Sequence, residues 1–193
     1  ESAGIRTIAD LLRWDRADLG ARFGSMGDRL WHLARGLDTR RVNRDEKLKS
    51  ISKETTFFED TSDPDLLDGH IWRLSEQVAD RAKAKRLSGR TVTLKLKKGD
   101  FQLITRRHAL TDPTQLTDRI YRAVKDLFDH AGTTGPFRLI GVGISDLAPE
   151  DQADLSGDLL DPTATKRAAA ERATDAIRAK FGAEAIIRGR ALR

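Results

Sequence analysis

Two lysines at alternate positions of a strand candidate are the residues whose chemistry is easiest to state. Residues 91–97 alternate strictly, so that the aliphatic side chains lie on one side and Lys95 and Lys97 lie on the other. Ammonium groups on a flat surface bind phosphate oxygens without reading base sequence. The spacing therefore predicts a surface for a polyanion. A solvated face that carries cations for solubility is the alternative, and charge alone does not separate the two.

The sequence shows no set of residues with the spacing of a catalytic or metal-binding site. His32, His70, His108 and His130 are scattered, and none stands at a ligand spacing from an acid or from another histidine. Cysteine is absent, which excludes disulfides and thiolate metal sites. Residues 141–143 are a fragment of a dinucleotide-binding pattern, but they lie inside a strand candidate. We therefore expect no catalytic residue, metal ligand or cofactor site in this chain.

Composition indicates a water-soluble protein, while the net charge leaves two alternatives open, an acidic partner and a mildly basic surface without one. The chain has 193 residues, of which 38% are hydrophobic and 34% are charged, and its net charge is +5 with a pI near 9.7. Basic proteins of this kind favour nucleic acid as the first partner to consider. No apolar run approaches the roughly 18 residues that a membrane helix needs. We expect a cytoplasmic protein with no membrane contact.

The elements that must position the lysines follow one another as β-α-β-β-α-β between residues 50 and 147. The predicted elements are strands over 50–58, 91–97, 101–108 and 137–145, a helix over 64–87 and a helix opening at Pro113. This order is typical of the ferredoxin-like split unit, an α+β fold with two helices on one face of a four-stranded sheet. The other face must be solvated or must bind something.

Alternation assigns side chains to the two faces of the predicted sheet. On the strand over 101–108, Phe101, Leu103 and Thr105 are expected to face the helices. The open face then receives Gln102, Ile104, Arg106 and His108 from this strand, and Lys53 from the first strand. On the last strand Gly141 and Gly143 face outward and are expected to leave the backbone approachable.

The first 38 residues have the pattern of short helices, expected to form part of a domain that begins upstream. Thr7 and Asp10 form a capping box before the first helix. A second helix is expected to stop at Gly24, and Gly27 is expected to precede a third. Residues 39–49 carry five basic side chains against two acids and are predicted to be a linker.

The residues after 147 begin polar and acidic and are expected to form a tail with one helix. That helix is predicted to start at Pro162 with Asp161 as its N-cap. Its apolar stripe is thin and consists of Ala169, Ala173, Ile177 and Phe181. We expect little rigid order towards residue 193.

Six blocks in order resemble a known family. They are GIRTIADL, FGSMGDRLWHLARGLD, KSISKETTF, RTVTLKLK, TRRHAL and RLIGVGISDL. Together they resemble the C-terminal half of the Y-family translesion DNA polymerases, closest to the bacterial DNA polymerase IV group (DinB type). Each block alone is weak, whereas the ordered set over about residues 4 to 147 is specific.

The resemblance implies a domain organisation and a DNA-binding role. Residues 1–38 would be the latter part of the thumb, residues 50–147 the little finger that grips duplex primer-template DNA, and residues 39–49 the tether between them. The palm and fingers, with the Mg²⁺ that the palm binds, would lie outside this chain, so the parent would be a DNA polymerase (a nucleotidyltransferase) and this piece inactive alone. The residues expected to contact DNA are Arg106, Lys95, Lys97, Lys53, Arg40, Arg41, Gly4, Arg6, Gly24 and Gly27.

The last strand departs from some relatives, which have arginines where this chain has Leu139 and Gly143. This departure weakens the grip expected on that edge of the sheet. It shifts the expected contacts towards Arg106, Lys95 and Lys97.

The resemblance also implies a partner for the tail. Family members dock on the sliding clamp through a peptide that resembles Gln-x-x-Leu followed by an apolar residue. Gln152 and Leu155 match its first four positions, and Leu159 or Leu160 would supply the missing apolar anchor. A solvated acidic loop is the alternative for this segment.

Two functions from different classes remain after the sequence has been considered. The first is a monomeric DNA-binding part of an error-prone polymerase that also docks on the clamp. The second is a protein–protein adaptor that binds the clamp or a repair partner and has little affinity for DNA. Only the first predicts binding to duplex DNA that weakens steeply with salt.

Overall fold

The chain divides into two compact units, Glu1–Glu46 and Lys47–Arg193. A computed structural model describes residues 4–41, 47–155, 163–186 and 189. In the described residues no helix combines the length and the apolar character needed to cross a bilayer. Each unit is considered by itself below.

The first unit consists of three short helices, α1 (Ile8–Leu12), α2 (Arg16–Phe23) and α3 (Ser25–Ala34). The predicted capping box is confirmed, since Asp10 N donates to Thr7 Oγ1 at 3.2 Å and Thr7 N donates to Asp10 Oδ2 at 2.9 Å. Helix α2 ends before Gly24, as predicted.

The predicted position of Gly27, ahead of the third helix, is wrong because Gly27 lies inside α3. A Cβ atom on Gly27 would come within 1.9 Å of the carbonyl oxygen of Leu19, which is itself fully buried. Glycine is therefore needed here so that the backbones of α2 and α3 can approach each other closely, not to shape a turn.

In its described residues the second unit contains a four-stranded sheet, three α-helices and two single 3-10 turns. The bounds of the strands and α-helices are β1 (Ser50–Thr61), α4 (Pro64–Ala84), β2 (Leu87–Lys98), β3 (Leu103–Thr114), α5 (Thr117–Asp129), β4 (Phe137–Pro149) and α6 (Ala164–Phe181). The strand order is β1-β4-β2-β3, and all neighbours are antiparallel. Helix α4 connects β1 to β2 with β4 between them, and α5 connects β3 to β4 with β2 between them. These are two interlocked split units, so the predicted α+β class and element order are confirmed.

The core lies between one face of the sheet and the helices α4 and α5. Its main aliphatic side chains are Ile71, Leu74 and Val78 of α4, Ile120 and Val124 of α5, and Val92, Leu94, Leu96, Ile140, Val142 and Ile144 of the sheet. Helix α4 begins where predicted, because Asp63 Oδ1 accepts from the amide of Asp65 at 2.9 Å and Pro64 occupies the first turn. The opposite face of the sheet is free of α4 and α5.

Helix α5 begins four residues later than predicted. Pro113 belongs to β3, which is an edge strand and loses no ladder hydrogen bond by lacking an amide proton there. Thr114 pairs with Gly89 of β2, and only then does the chain turn into α5 at Thr117.

Helix α6 does not pack through its apolar stripe. Ala169, Ala173, Ile177 and Phe181 are all exposed, and Phe181 retains 66% of its accessible surface. The inward face instead carries Glu171, which is 2% exposed and pairs with Lys83 of α4 at 2.8 Å. The predicted start at Pro162 and the Asp161 cap lie outside the described residues.

Candidate nucleic-acid interface

The open face of the sheet, opposite α4 and α5, is built from side chains that alternate with the core residues. Strand pairing arranges these side chains in rows that cross β1, β4, β2 and β3 in that order. Three of these rows are Ser52, Gly143, Thr93 and Arg107; then Glu54, Gly141, Lys95 and Thr105; then Thr56, Leu139, Lys97 and Leu103. In the described part of the second unit no further layer covers this face, so the lysines are on the surface predicted for them.

The predicted faces of β3 are wrong. Arg106 is paired with the fully buried Leu94 and therefore lies on the helix side, where its Nη2 donates to the carbonyl oxygen of Ala131 at 2.8 Å. Ile104 and His108 share that side, because they pair with core residues of β2. Arg107 takes the place predicted for Arg106 on the open face.

The length of the hairpin loop explains the error on β3. The strand begins at Leu103, opposite Lys97, so Phe101 and Gln102 lie in the loop and not in the strand. Phe101 adopts a left-handed backbone conformation with φ of 69° and is 61% exposed, whereas it was expected to face the helices. The cross-strand partner fixes the phase of β3, and apolar character alone misassigns it.

The predicted face of Lys53 is also wrong. It pairs with Val142, a core residue of β4, and so lies on the helix side of the edge strand β1. Glu54 points to the open face instead. The signal that could have shown this is Ile51, which is buried and has the same alternation phase as Lys53.

The open face carries three cations and one carboxylate in these rows. Lys95 Nζ pairs with Glu54 Oε2 at 2.7 Å, and both side chains are partly exposed. Lys97 Nζ lies 4.6 Å from the ring centroid of Phe101. Arg107 is exposed and makes no hydrogen bond or ion pair within the part of the chain that the structure describes. The face is therefore electropositive, with hydroxyl side chains between the charges.

Gly141 and Gly143 do not expose the backbone of β4 as predicted, because both are buried. A Cβ atom on Gly141 would lie 3.0 Å from the Cβ atom of Glu54 and 3.5 Å from that of Lys95. Because Gly141 has no side chain, Glu54 of β1 and Lys95 of β2 can contact each other across β4. Glycine here makes room for the Glu54–Lys95 pair.

Comparison with known proteins identifies the family of the chain. Residues 48–157 match the model of the impB/mucB/samB family C-terminal domain. The chain belongs to this family. The resemblance seen in the sequence is therefore confirmed.

The sequences of three named proteins are similar to nearly the whole chain. DNA polymerase IV 1 of Mesorhizobium japonicum is 49% identical over 98% of this chain and 43% of its own length. DNA polymerase IV of Brucella melitensis is 48% identical over 98% of this chain and 42% of its own length. DNA polymerase IV of Caulobacter vibrioides is 38% identical, with corresponding shares of 98% and 47%. The chain thus spans less than half the length of these relatives.

Three arginines predicted to contact DNA lie before residue 48, and they differ in whether their side chains have a partner. Arg40 is held by Asp38, with Nε to Oδ1 at 2.7 Å and Nη2 to Oδ2 at 2.5 Å. These bonds from Arg40 lower the pKa of Asp38 to about 2. Arg41 and Arg6 are exposed, and their side chains have no partner among the described residues. Their contact with DNA stays a prediction.

The glycines predicted to bind phosphate in the first unit are placed as follows. Gly4 and Gly24 have positive φ angles of 70° and 60° and open space where a Cβ atom would stand. The amide of Gly27 donates to the carbonyl oxygen of Gly24 at 2.9 Å and is therefore not available to an anion. The described residues contain no group of three or more histidines and acids that could hold a metal ion.

The predicted clamp-binding peptide begins directly after β4. Gln152 is exposed and ends a single 3-10 turn, Glu150–Gln152, while Leu155 retains 71% of its accessible surface. Asp154 between them is anchored, since Arg119 Nη1 donates to its carboxylate at 2.6 Å and its amide donates to Pro113 O at 2.9 Å. Leu159 and Leu160 lie outside the described residues.

Proposed function

We propose that this chain is the DNA-gripping C-terminal part of an error-prone translesion DNA polymerase whose nucleotidyl transfer, with its Mg²⁺, takes place in a palm outside the chain. The observation that supports the grip most is the alignment of Lys97, Lys95 and Arg107 in three successive rows of the open face. Successive rows are about 7 Å apart along the strands. The cations therefore form a track that a phosphate backbone can follow.

The composition of the open face favours contacts to the backbone over reading of bases. Its rows contain hydroxyl side chains, glycines, cations, two leucines and one carboxylate, and the two central strands β4 and β2 present no aromatic ring there on which a base could stack. The exposed rings of Phe58 and Phe101 lie on the edge strand β1 and in the hairpin loop. Contacts to the DNA backbone hold a duplex in register whatever its sequence. In the parent polymerase this grip would retain primer and template beside a spacious active site.

Binding to a labelled duplex at several salt concentrations tests the grip. Each phosphate contact contributes about 0.9 to the slope of log affinity against log salt. The variant that combines Lys95→Ala, Lys97→Ala and Arg107→Ala should therefore bind more weakly, with a slope smaller by about two to three. Loss on all duplex sequences alike is expected.

A matched control changes the same charge elsewhere in the second unit. Lys166, Arg172 and Lys180 are exposed on α6, which packs on the helix side of the sheet. Their triple replacement by alanine should leave the salt slope within about one of the starting value. Equal losses in the two variants would show that net charge alone governs binding. Salt-insensitive or absent binding by the unmodified chain would favour the adaptor function.

We also propose that the segment from Gln152 docks on the sliding clamp. The support is that Gln152 and Leu155 both project into solvent while Asp154 anchors the chain between them. Replacement of Gln152 and Leu155 by alanine should abolish binding of the chain to the clamp of its host. Asp151→Ala, a change at an exposed neighbour, should leave clamp binding intact, and unchanged binding by the double variant would contradict the assignment.

A further inference from the structure

An irregularity in β4 redirects one arginine towards the open face. Lys97 of β2 pairs with Leu139, yet Lys98 pairs with Phe137, so Arg138 is an extra residue between the two pairs. Phe137 is buried in the core, whereas Leu139 belongs to the open face. A bulge of this kind re-aims the side chain of the extra residue. Arg138 is consequently carried to the side of the sheet where Lys97 lies.

Phe101 meets both of these cations from the hairpin loop. Its ring centroid lies 4.6 Å from Lys97 Nζ and 5.2 Å from Arg138 Cζ. A left-handed backbone conformation is unfavourable for a bulky residue, and an exposed ring recovers little of that cost by burial. The contacts that the ring does make are electrostatic, between its π face and two cations.

We propose that Phe101 is a positioning residue that holds Lys97 and Arg138 side by side as a binding site for a DNA backbone phosphate. An ammonium group over a ring keeps donors that point away from the ring, and a guanidinium group can bind phosphate oxygens in pairs. Phe101 restricts the freedom of both long side chains before DNA arrives, which lowers the entropy lost on binding. The site continues the track of Lys95 and Lys97, and it rests on the proposed DNA grip.

One acid opposes the site. Asp60 Oδ1 lies 3.9 Å from Arg138 Nη1, at the outer limit of an ion pair. A Cβ atom on Gly99 would come within 2.3 Å of Asp60 Oδ2, so the carboxylate lies directly against the hairpin loop. A bound phosphate must compete with this carboxylate. Removal of its charge should therefore strengthen DNA binding, in the direction opposite to all the other changes.

Duplex-DNA titration of variants with confirmed thermal stability tests the inference. Phe101→Leu should weaken binding about two- to fivefold, the range that exposed cation–π contacts allow, while Phe101→Tyr should stay within about twofold of the unmodified chain. Arg138→Gln should reduce the salt slope by about one. Asp60→Asn should bind DNA more tightly.

A double-mutant comparison separates positioning from a structural role. If Phe101 acts through the cations, Phe101→Leu should have no further effect in a chain that already carries Lys97→Ala and Arg138→Gln. Additive losses, or unchanged binding by both Phe101→Leu and Arg138→Gln, would overturn the inference. Should Phe101→Leu fail to fold, the phosphate site is still tested by the other two variants. An unchanged salt slope in Arg138→Gln together with unchanged affinity in Asp60→Asn would reject it.

The outcomes also distinguish this site from the proposed grip. If the triple open-face variant loses salt-sensitive binding while the Phe101 and Arg138 variants do not, the phosphate site is rejected and the grip stands. If the unmodified chain does not bind duplex DNA at all, both are rejected.

Discussion

Replacement of Glu171 by alanine is expected to release α6 from the rest of the second unit. The carboxylate is 2% exposed and accepts hydrogen bonds from Lys83 Nζ at 2.8 Å, Thr117 N at 2.7 Å and Asp118 N at 3.3 Å. Helix α5 has no side-chain cap of its own at Leu116. Glu171 therefore supplies from α6 the cap that the N-terminus of α5 lacks.

The free energy of docking lost in Glu171→Ala depends on which contacts of Lys83 remain after the substitution. Breaking a buried ion pair costs about 3–5 kcal/mol when the other charge is left without a partner. Lys83 keeps Asp175 at 2.6 Å and is partly exposed, so the cost here is smaller. With the lost cap included, we expect about 2–3 kcal/mol, or roughly a 30- to 150-fold shift of the docking equilibrium. Glu171→Gln keeps an acceptor and should cost less.

Hydrogen exchange and limited proteolysis measure this docking. In Glu171→Ala the amides of Thr117 and Asp118 should exchange faster, and trypsin should cleave α6 at Arg172 sooner. Glu184→Ala removes an exposed carboxylate from the following turn and should change neither rate. Identical exchange at Thr117 in Glu171→Ala and the unmodified chain would refute the reasoning.

The same carboxylate makes the docking of α6 dependent on pH. Burial acts to raise the pKa of Glu171, but the charge and hydrogen bond of Lys83 outweigh it, so the pKa lies below its ordinary value of 4.5. A lowered pKa means that the stabilisation is complete above about pH 4.5 and is lost as the pH falls through the folded-state pKa. Proteolysis of α6 should therefore accelerate in acid, and Glu171→Gln should flatten this dependence.

Two further substitutions each test a contact within one unit. Gly27→Ala should destabilise the first unit by about 1–3 kcal/mol in thermal unfolding, since the added atom would meet Leu19 O at 1.9 Å. Gly20→Ala, in the neighbouring helix with open space around it, should be neutral or stabilising, and an equal loss in both would contradict the contact. Arg106→Ala should lower the unfolding free energy of the second unit by about 1 kcal/mol, because the hydrogen bond to Ala131 O is lost; no change in chemical denaturation would count against that bond.

The sequence predicts the order of elements and the core because both depend on local periodicity. Alternation on β2 and β4 assigns Leu94 and Val142 to the core correctly, since both strands are central and their aliphatic side chains are buried. The start of α4 at Pro64 is likewise predicted correctly.

The face of β3 could not be predicted in the same way. Its phase depends on how many residues the hairpin loop contains, and Phe101 and Leu103 have the apolar character of core residues although both are exposed. Register in an antiparallel pair is fixed by the partner strand, and a slip of one residue moves every side chain to the other face. Arg106 and Arg107 exchange places for this reason.

The orientation of α6 depends on contacts that are distant in sequence. The apolar stripe that ends at Phe181 is exposed, while the buried Glu171 contacts Lys83 on α4 and the amides that open α5. No pattern within residues 164–181 indicates that Glu171 is needed there. The partly buried cation of Lys83 and the uncapped start of α5 decide the orientation.

The measurement that tests the central claim most directly compares two adjacent arginines. Arg107 lies on the open face and Arg106 on the helix side, so Arg107→Ala and Arg106→Ala remove the same charge one residue apart. In titrations of duplex DNA, Arg107→Ala should weaken binding and reduce the salt slope by about one, while Arg106→Ala should leave the slope unchanged. A larger loss of slope with Arg106→Ala would contradict the account, because DNA would then contact the helix side of this sheet.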